Sequence, residues 1–198
     1  MKKLVLKTVA ITVAAIILLG AAVYLMFALA FPKTLASAWK NIGNYSLAAK
    51  YYEKQYDKSE DIEDLAVLCI YLDVKADSVR AAKYLKILTE NEKFSESFPV
   101  DGKNGGFGFT DYEYYFGKYA LAEFYANKID AAIAVCTKAV SAGYTDHNAF
   151  NVLLSDAENL TKTDGEKIAA AITEIKGGLT GKAEEYANRD IGFANDLQ

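Results

Sequence analysis

Arginine is nearly missing from this chain, with Arg80 and Arg189 the only two. Few bidentate anion clamps can be built from so small a stock, because lysine offers a point charge where guanidinium offers a planar fork. Histidine is rarer still, represented by His147 alone. One histidine cannot supply a zinc site of ordinary type, and no partners for a His-based triad stand out around it. Its place after Thr145-Asp146, at an expected helix start, suits a solvated or capping residue. The two cysteines, Cys69 and Cys136, both fall inside apolar helical patterns and are expected to be buried free thiols. Pairing between them stays open if the domain lies outside the cytoplasm. Proline occurs only at 32 and 99, which fits a chain that is helical nearly throughout. No catalytic residue, metal ligand or cofactor-binding residue is assigned. Acidic pairs such as Glu60-Asp61, Glu63-Asp64 and Glu184-Glu185 fall on polar helix faces, where solvation explains them.

Charge is also missing from one long stretch. After Lys2, Lys3 and Lys7 the chain runs from Thr8 to Pro32 without an ionisable acid or base. About 24 helical residues at roughly 1.5 Å each exceed the ~30 Å hydrocarbon core of a bilayer. A helix bonds all its backbone polar groups internally, as lipid requires. Residues 8–32 are therefore expected to form a transmembrane signal anchor behind a short cytoplasmic segment 1–7. Tyr24 and Phe31 sit near its far end, where aromatic rings favour the headgroup layer. A secretory signal peptide is the competing reading, because Ala28-Leu29-Ala30 matches a small-x-small cleavage site. The apolar run is about twice the usual ~7–15-residue signal core, which favours an anchor. The three leading lysines outnumber Lys33 and Lys40 on the other side, placing residues 33–198 outside the cytoplasm.

Beyond Pro32 lie all 26 acidic residues and 19 of the 22 basic ones, a formal balance of −7. An acidic domain repels phosphate backbones, so nucleic acid is not an expected partner. Apolar spacing at i, i+3, i+4 and i+7 recurs along this stretch, as in Leu65, Leu68, Cys69 and Leu72. Helices are expected from Leu35 to Ile42, Tyr45 to Tyr56, Ile62 to Leu72, and from a cap at Asp77 or Ser78 to Leu88. They resume at Asp111–Ala126, Ile129–Ala142, about Asp146–Leu160, Asp164–Ile175 and Lys182–Phe193. Gly143 and Gly177-Gly178 fall at expected C-caps. Between 91 and 110 the pattern breaks into a glycine-rich insertion.

The segment Gly43-Asn44-Tyr45-Ser46-Leu47-Ala48-Ala49-Lys50-Tyr51-Tyr52-Glu53-Lys54 resembles the second helix of a tetratricopeptide repeat. In that pattern a small residue ends the first helix, an aromatic opens the second, and an alanine marks the helix crossing. Ala48 and Ala82 are 34 residues apart, the repeat length of that family. Asn127 to Val140 shows the pattern again, with Ala132 at the crossing and Ala139 at the later small position. Ala82 to Ala132 is 50 residues, a surplus set by the glycine-rich loop. Sel1-like repeats are a related possibility, and Ala81 fits the second register almost as well as Ala82. The fold implied is all-α, a membrane helix followed by stacked antiparallel hairpins in a solenoid.

Such a resemblance implies binding of a protein segment along a groove lined by the first helix of each pair. It nominates Asp64, Val67 and Tyr71 from one repeat and Tyr114, Leu121 and Tyr125 from the next. The loop Gly102–Phe109 lacks the order of a phosphate-binding loop. Phe107 and Phe109, crowded by Tyr112, Tyr114, Tyr115, Phe116 and Tyr119, form a second candidate patch, because so many rings are not expected to share one core. The leading expectation is a membrane-anchored scaffold in a cell-envelope complex. A module capturing a small molecule or glycan is the alternative, and neither reading is an enzyme.

Overall fold

The computed structural model describes residues 2–100, 111–143 and 149–197, with side chains from Val5 onward. Among these residues every regular element is helical. The chain forms two compact units, Met1–Tyr71 and Leu72–Gln198. The apolar helix belongs with the first unit.

The first unit opens with α1 (Lys2–Ala30). Its stretch Val5–Ala30 has a mean hydropathy of 2.6 and is almost wholly unburied, and by length and composition it can cross a membrane. Phe31 breaks the helix and caps α2 (Pro32–Asn41), whose first turn holds Pro32. Proline suits that position because the amide it lacks would have no helical partner. Gly43 at φ 79° turns the chain into α3 (Tyr45–Ser59). Asn44 caps α3 by accepting from the Leu47 amide at 3.1 Å. Helix α3 runs past the expected end at Tyr56, and Glu60 in the left-handed region stops it. Helix α4 (Ile62–Tyr71) follows, with Leu65, Leu68 and Cys69 fully buried.

In the second unit Asp77 caps α5 (Ser78–Thr89). A short α6 (Phe94–Ser97) lies inside the region expected to be irregular. Helices α7 (Asp111–Tyr125) and α8 (Ile129–Ala142) pack together, and α9 (Ala149–Leu154) packs on both. A 3-10 turn at Ala157–Asn159 then leads to α10 (Lys162–Lys176) and α11 (Lys182–Asn195). The expected helix 146–160 is therefore interrupted after Leu154. Thr161 and Asp164 close a reciprocal capping box on α10. The paired helices α10 and α11 approach so closely that a Cβ on Gly165 would lie 2.3 Å from the Ala194 carbonyl oxygen. Ala48, Ala82 and Ala132, the expected crossing positions, and Ala139, the expected later small position, are all buried. So are Cys69 and Cys136, which are not joined in a disulfide; burial holds the Cys136 thiol well above its usual pKa.

Candidate functional site

Asp64, Val67 and Tyr71 are spaced by three and four residues and share one face of α4. The carboxylate of Asp64 is not turned to solvent. It accepts from Lys33 Nζ at 2.9 Å, Gln55 Nε2 at 3.0 Å and Ser59 Oγ at 2.8 Å. Burial alone would push this carboxyl up, but the bonds from Gln55, Lys33 and Ser59, with the lysine charge, hold it below the usual carboxylate range. Asp64 thereby ties α2, α3 and α4 together. Val67 is half-buried on the same face. Tyr71, two turns on from Asp64, stacks with Tyr45 (5.8 Å between ring centroids) and with Tyr52 (5.5 Å). The Lys40 ammonium lies 5.8 Å from the Tyr71 ring, close enough for a cation–π contact. The first unit therefore presents a patch of Lys40, Tyr45 and Tyr71 next to a polar knot at Asp64. Lys33, Lys40, Tyr45 and Tyr52 were not singled out by sequence. Their signal was a common offset of 31 residues, Lys33 to Asp64 and Lys40 to Tyr71, which only the helix register makes visible.

In the second unit, Leu121 is buried in the core and contributes no surface. Tyr114 is half-buried, edge-on to Tyr115 at 5.4 Å, with Lys118 Nζ 5.4 Å from its ring. Tyr125 is half-buried as well, and Lys75 Nζ lies 5.2 Å from its ring. That lysine also donates to Asp156 at 2.7 Å, and its hydrogen bonds to Asp156 and to the Tyr125 hydroxyl raise its pKa. Asn159 Nδ2 reaches the same hydroxyl at 3.5 Å.

The crowded aromatics behave differently from the expectation. Tyr112, Tyr115 and Phe116 surround the buried Phe94, with ring centroids 5.5, 6.3 and 5.7 Å from it. Tyr119 is buried too. Tilted and edge-on contacts let several rings share one core, and the short α6 supplies the central one. Of the helical rings from this cluster only Tyr114 keeps substantial exposure. Phe107, Phe109, most of the glycine-rich loop and His147 lie outside the described residues.

A cavity of about 640 Å³ opens elsewhere in the second unit, lined in part by Asn151, Ser155 and Glu158 on one side and Arg189, Asp190 and Phe193 on the other. Arg189 donates Nε and Nη2 to Asp190 Oδ1 at 3.0 and 2.7 Å and lies 4.7 Å from the Tyr186 ring. The guanidinium is thus fixed in place, and Phe193 leaves an apolar wall 47% exposed beside it. Among the described residues no three His, Cys, Asp or Glu side chains gather as a metal ion would need. Comparison of the chain with models of known families, with curated proteins and with solved structures finds no match.

Proposed function

We propose that this protein is a membrane-anchored helical module that binds a protein segment, and that it performs no catalysis. The observation carrying the reading is α1. Ile16, Ile17, Leu18 and Leu19 are largely uncovered by the rest of the fold, and nearly all of the stretch Val5–Ala30 is unburied. So long an unburied apolar surface is stable in lipid and costly in water. Continuity of α1 with the first unit favours a retained anchor over a cleaved signal: Ala28, inside the candidate cleavage triplet, is helical and buried. The lysine bias puts residues 33–198 outside the cytoplasm.

The binding part is a tetratricopeptide-like array. Its support is the buried crossing alanines and the two equal offsets, Lys33 to Asp64 and Lys40 to Tyr71, which set α2 and α4 side by side in the same direction. First helices of neighbouring repeats run in that way. The partner's side chains would meet the Lys40–Tyr45–Tyr71 patch, and Tyr114 and Tyr125 offer similar half-exposed rings. Aromatic residues combining apolar area with a polar edge are common anchors at interfaces.

Alkaline extraction of membranes tests the anchor: the full chain should stay in the pellet, and its release would defeat the reading. Sidedness follows from a reporter fused after residue 198, and a cytoplasmic signal would overturn the envelope role. For the first unit's patch, the full chain in nanodiscs should retain a specific envelope partner and lose it with Tyr45→Ala plus Tyr71→Ala. A second reading, capture of a small molecule, is favoured by the cavity beside Arg189 and Phe193. Ligand-induced thermal stabilisation abolished by Phe193→Ala would support it.

A further inference from the structure

The end of α1 does not project freely from the first unit. The Tyr24 and Tyr51 hydroxyls are hydrogen-bonded, and Lys58 Nζ donates to the Leu29 carbonyl. These two contacts advance in the same sense along both helices, five residues on α1 and seven on α3. At roughly 1.5 Å per residue the steps are about 7 and 10 Å, so α3 runs in the direction of α1. The start of α3 therefore points back toward the membrane-crossing part of α1. Counting about 20 residues for a ~30 Å core from Val5, where the apolar stretch begins, brings the hydrocarbon boundary to about Tyr24. Tyr45 precedes Tyr51 by six residues, about 9 Å further back along α3.

That end of the unit is apolar at its tip. Ile42 is 70% exposed, and Tyr45 is 55% exposed although one face stacks on Tyr71. Its nearest charges in sequence are of one sign: Lys40 and Lys50 flank the turn, and no acidic residue precedes Glu53 in the whole chain. A locally basic, apolar tip on an otherwise acidic domain is complementary to anionic headgroups over acyl chains.

We propose that the α2–α3 turn, Ile42 with Tyr45, is a second membrane contact, reaching through the headgroup layer into the upper acyl region of the leaflet from which α1 emerges; it rests on the reading of α1 as an anchor. Ile42 and the Tyr45 ring lie within about 10 Å below the headgroups, and Lys40 and Lys50 reach back to phosphates on either side. The first unit is thereby held against the bilayer by two points instead of swinging on one.

The test uses the full chain in phosphatidylcholine–phosphatidylglycerol vesicles, labelled with an environment-sensitive fluorophore at Ile42→Cys or at Asp57→Cys. Both positions are exposed, and the native Cys69 and Cys136 are buried beyond the reach of the label. Nitroxide-bearing lipids should quench the probe at 42 several-fold more than the probe at 57, with a blue-shifted emission at 42. Equal or weaker quenching at 42 in chains that resist alkaline extraction overturns the tip contact and leaves the anchor standing. Release of the chain by alkali overturns the anchor, and the tip contact falls with it.

Discussion

Replacing Asp64 separates a structural role for this carboxylate from the groove role that its helical position implies. In Asp64→Ala the Gln55 amide and the Ser59 hydroxyl lose a charged acceptor in a part-buried setting. Bonds to a charged group contribute about 1.5–3 kcal/mol each, and part of that returns if water enters. The lysine arm adds little, about 0–1 kcal/mol, because the Lys33 side chain is 64% exposed against 7% for Asp64. A loss of about 2–4 kcal/mol is expected for Asp64→Ala, and under 1 kcal/mol for Lys33→Ala. For a chain of this length 1 kcal/mol moves the midpoint by about 2–4 °C, so Asp64→Ala should melt roughly 5–15 °C early. Trp39 on α2 is the sole tryptophan and belongs to the same unit, so its fluorescence follows the relevant unfolding. The carboxyl is held below its ordinary value in the folded state. Its stability contribution is therefore complete above about pH 4 and is lost as pH falls through the folded pKa. Asp64→Asn should remove that acid-side loss. An Asp64→Ala chain melting within about 1 °C of the parent, or a Lys33→Ala chain melting as early as Asp64→Ala, refutes the reasoning.

Four further outcomes follow from other parts of the fold. Gly165→Ala gains about 1 kcal/mol of helix propensity, but its Cβ would meet the Ala194 carbonyl oxygen at 2.3 Å. Net destabilisation is expected by circular-dichroism melting, and a stabilised variant would contradict the packing of α10 on α11. Burial, with the charges of Glu123 and Glu90, pushes the Tyr119 hydroxyl up to about 12. Because this folded pKa exceeds the unfolded value of about 10, stability should fall as pH rises from about 10 through 12, and Tyr119→Phe should flatten that fall. Cys69 and Cys136 should both resist a thiol reagent at pH 8 until the chain unfolds, as stopped-time labelling would reveal. Ile17→Asp with Leu18→Asp places two charges near the middle of α1, each costing about 2.5–3.5 kcal/mol on insertion. The altered chain should appear in the alkaline supernatant.

Much of the local structure was legible before folding. Spacing located α2, α5, α7, α8, α10 and α11 to within a few residues, because each has one apolar stripe and explicit stop signals such as Gly43 and Gly143. Helix α9 was overextended: periodicity continued through Ala157–Asn159, where the chain tightens into a 3-10 turn. The candidate site was less legible. Asp64 and Tyr71 were found by register, yet sequence could not say that one carboxylate already holds three donors or that one ring stacks with two others.

Sequence by itself determined the long apolar stretch, the helical class among the described residues, the buried crossing alanines and the buried thiols, since each depends on residues within a few turns of one another. Tertiary structure alone decided that Phe94 gathers the rings of α7, that α9 and α11 frame a cavity, and that the chain divides after Tyr71. It also decided that the last turns of α1 are joined to α3. Such contacts link residues 18 to 42 positions apart and depend on how helices cross, which the pattern along a single helix does not encode.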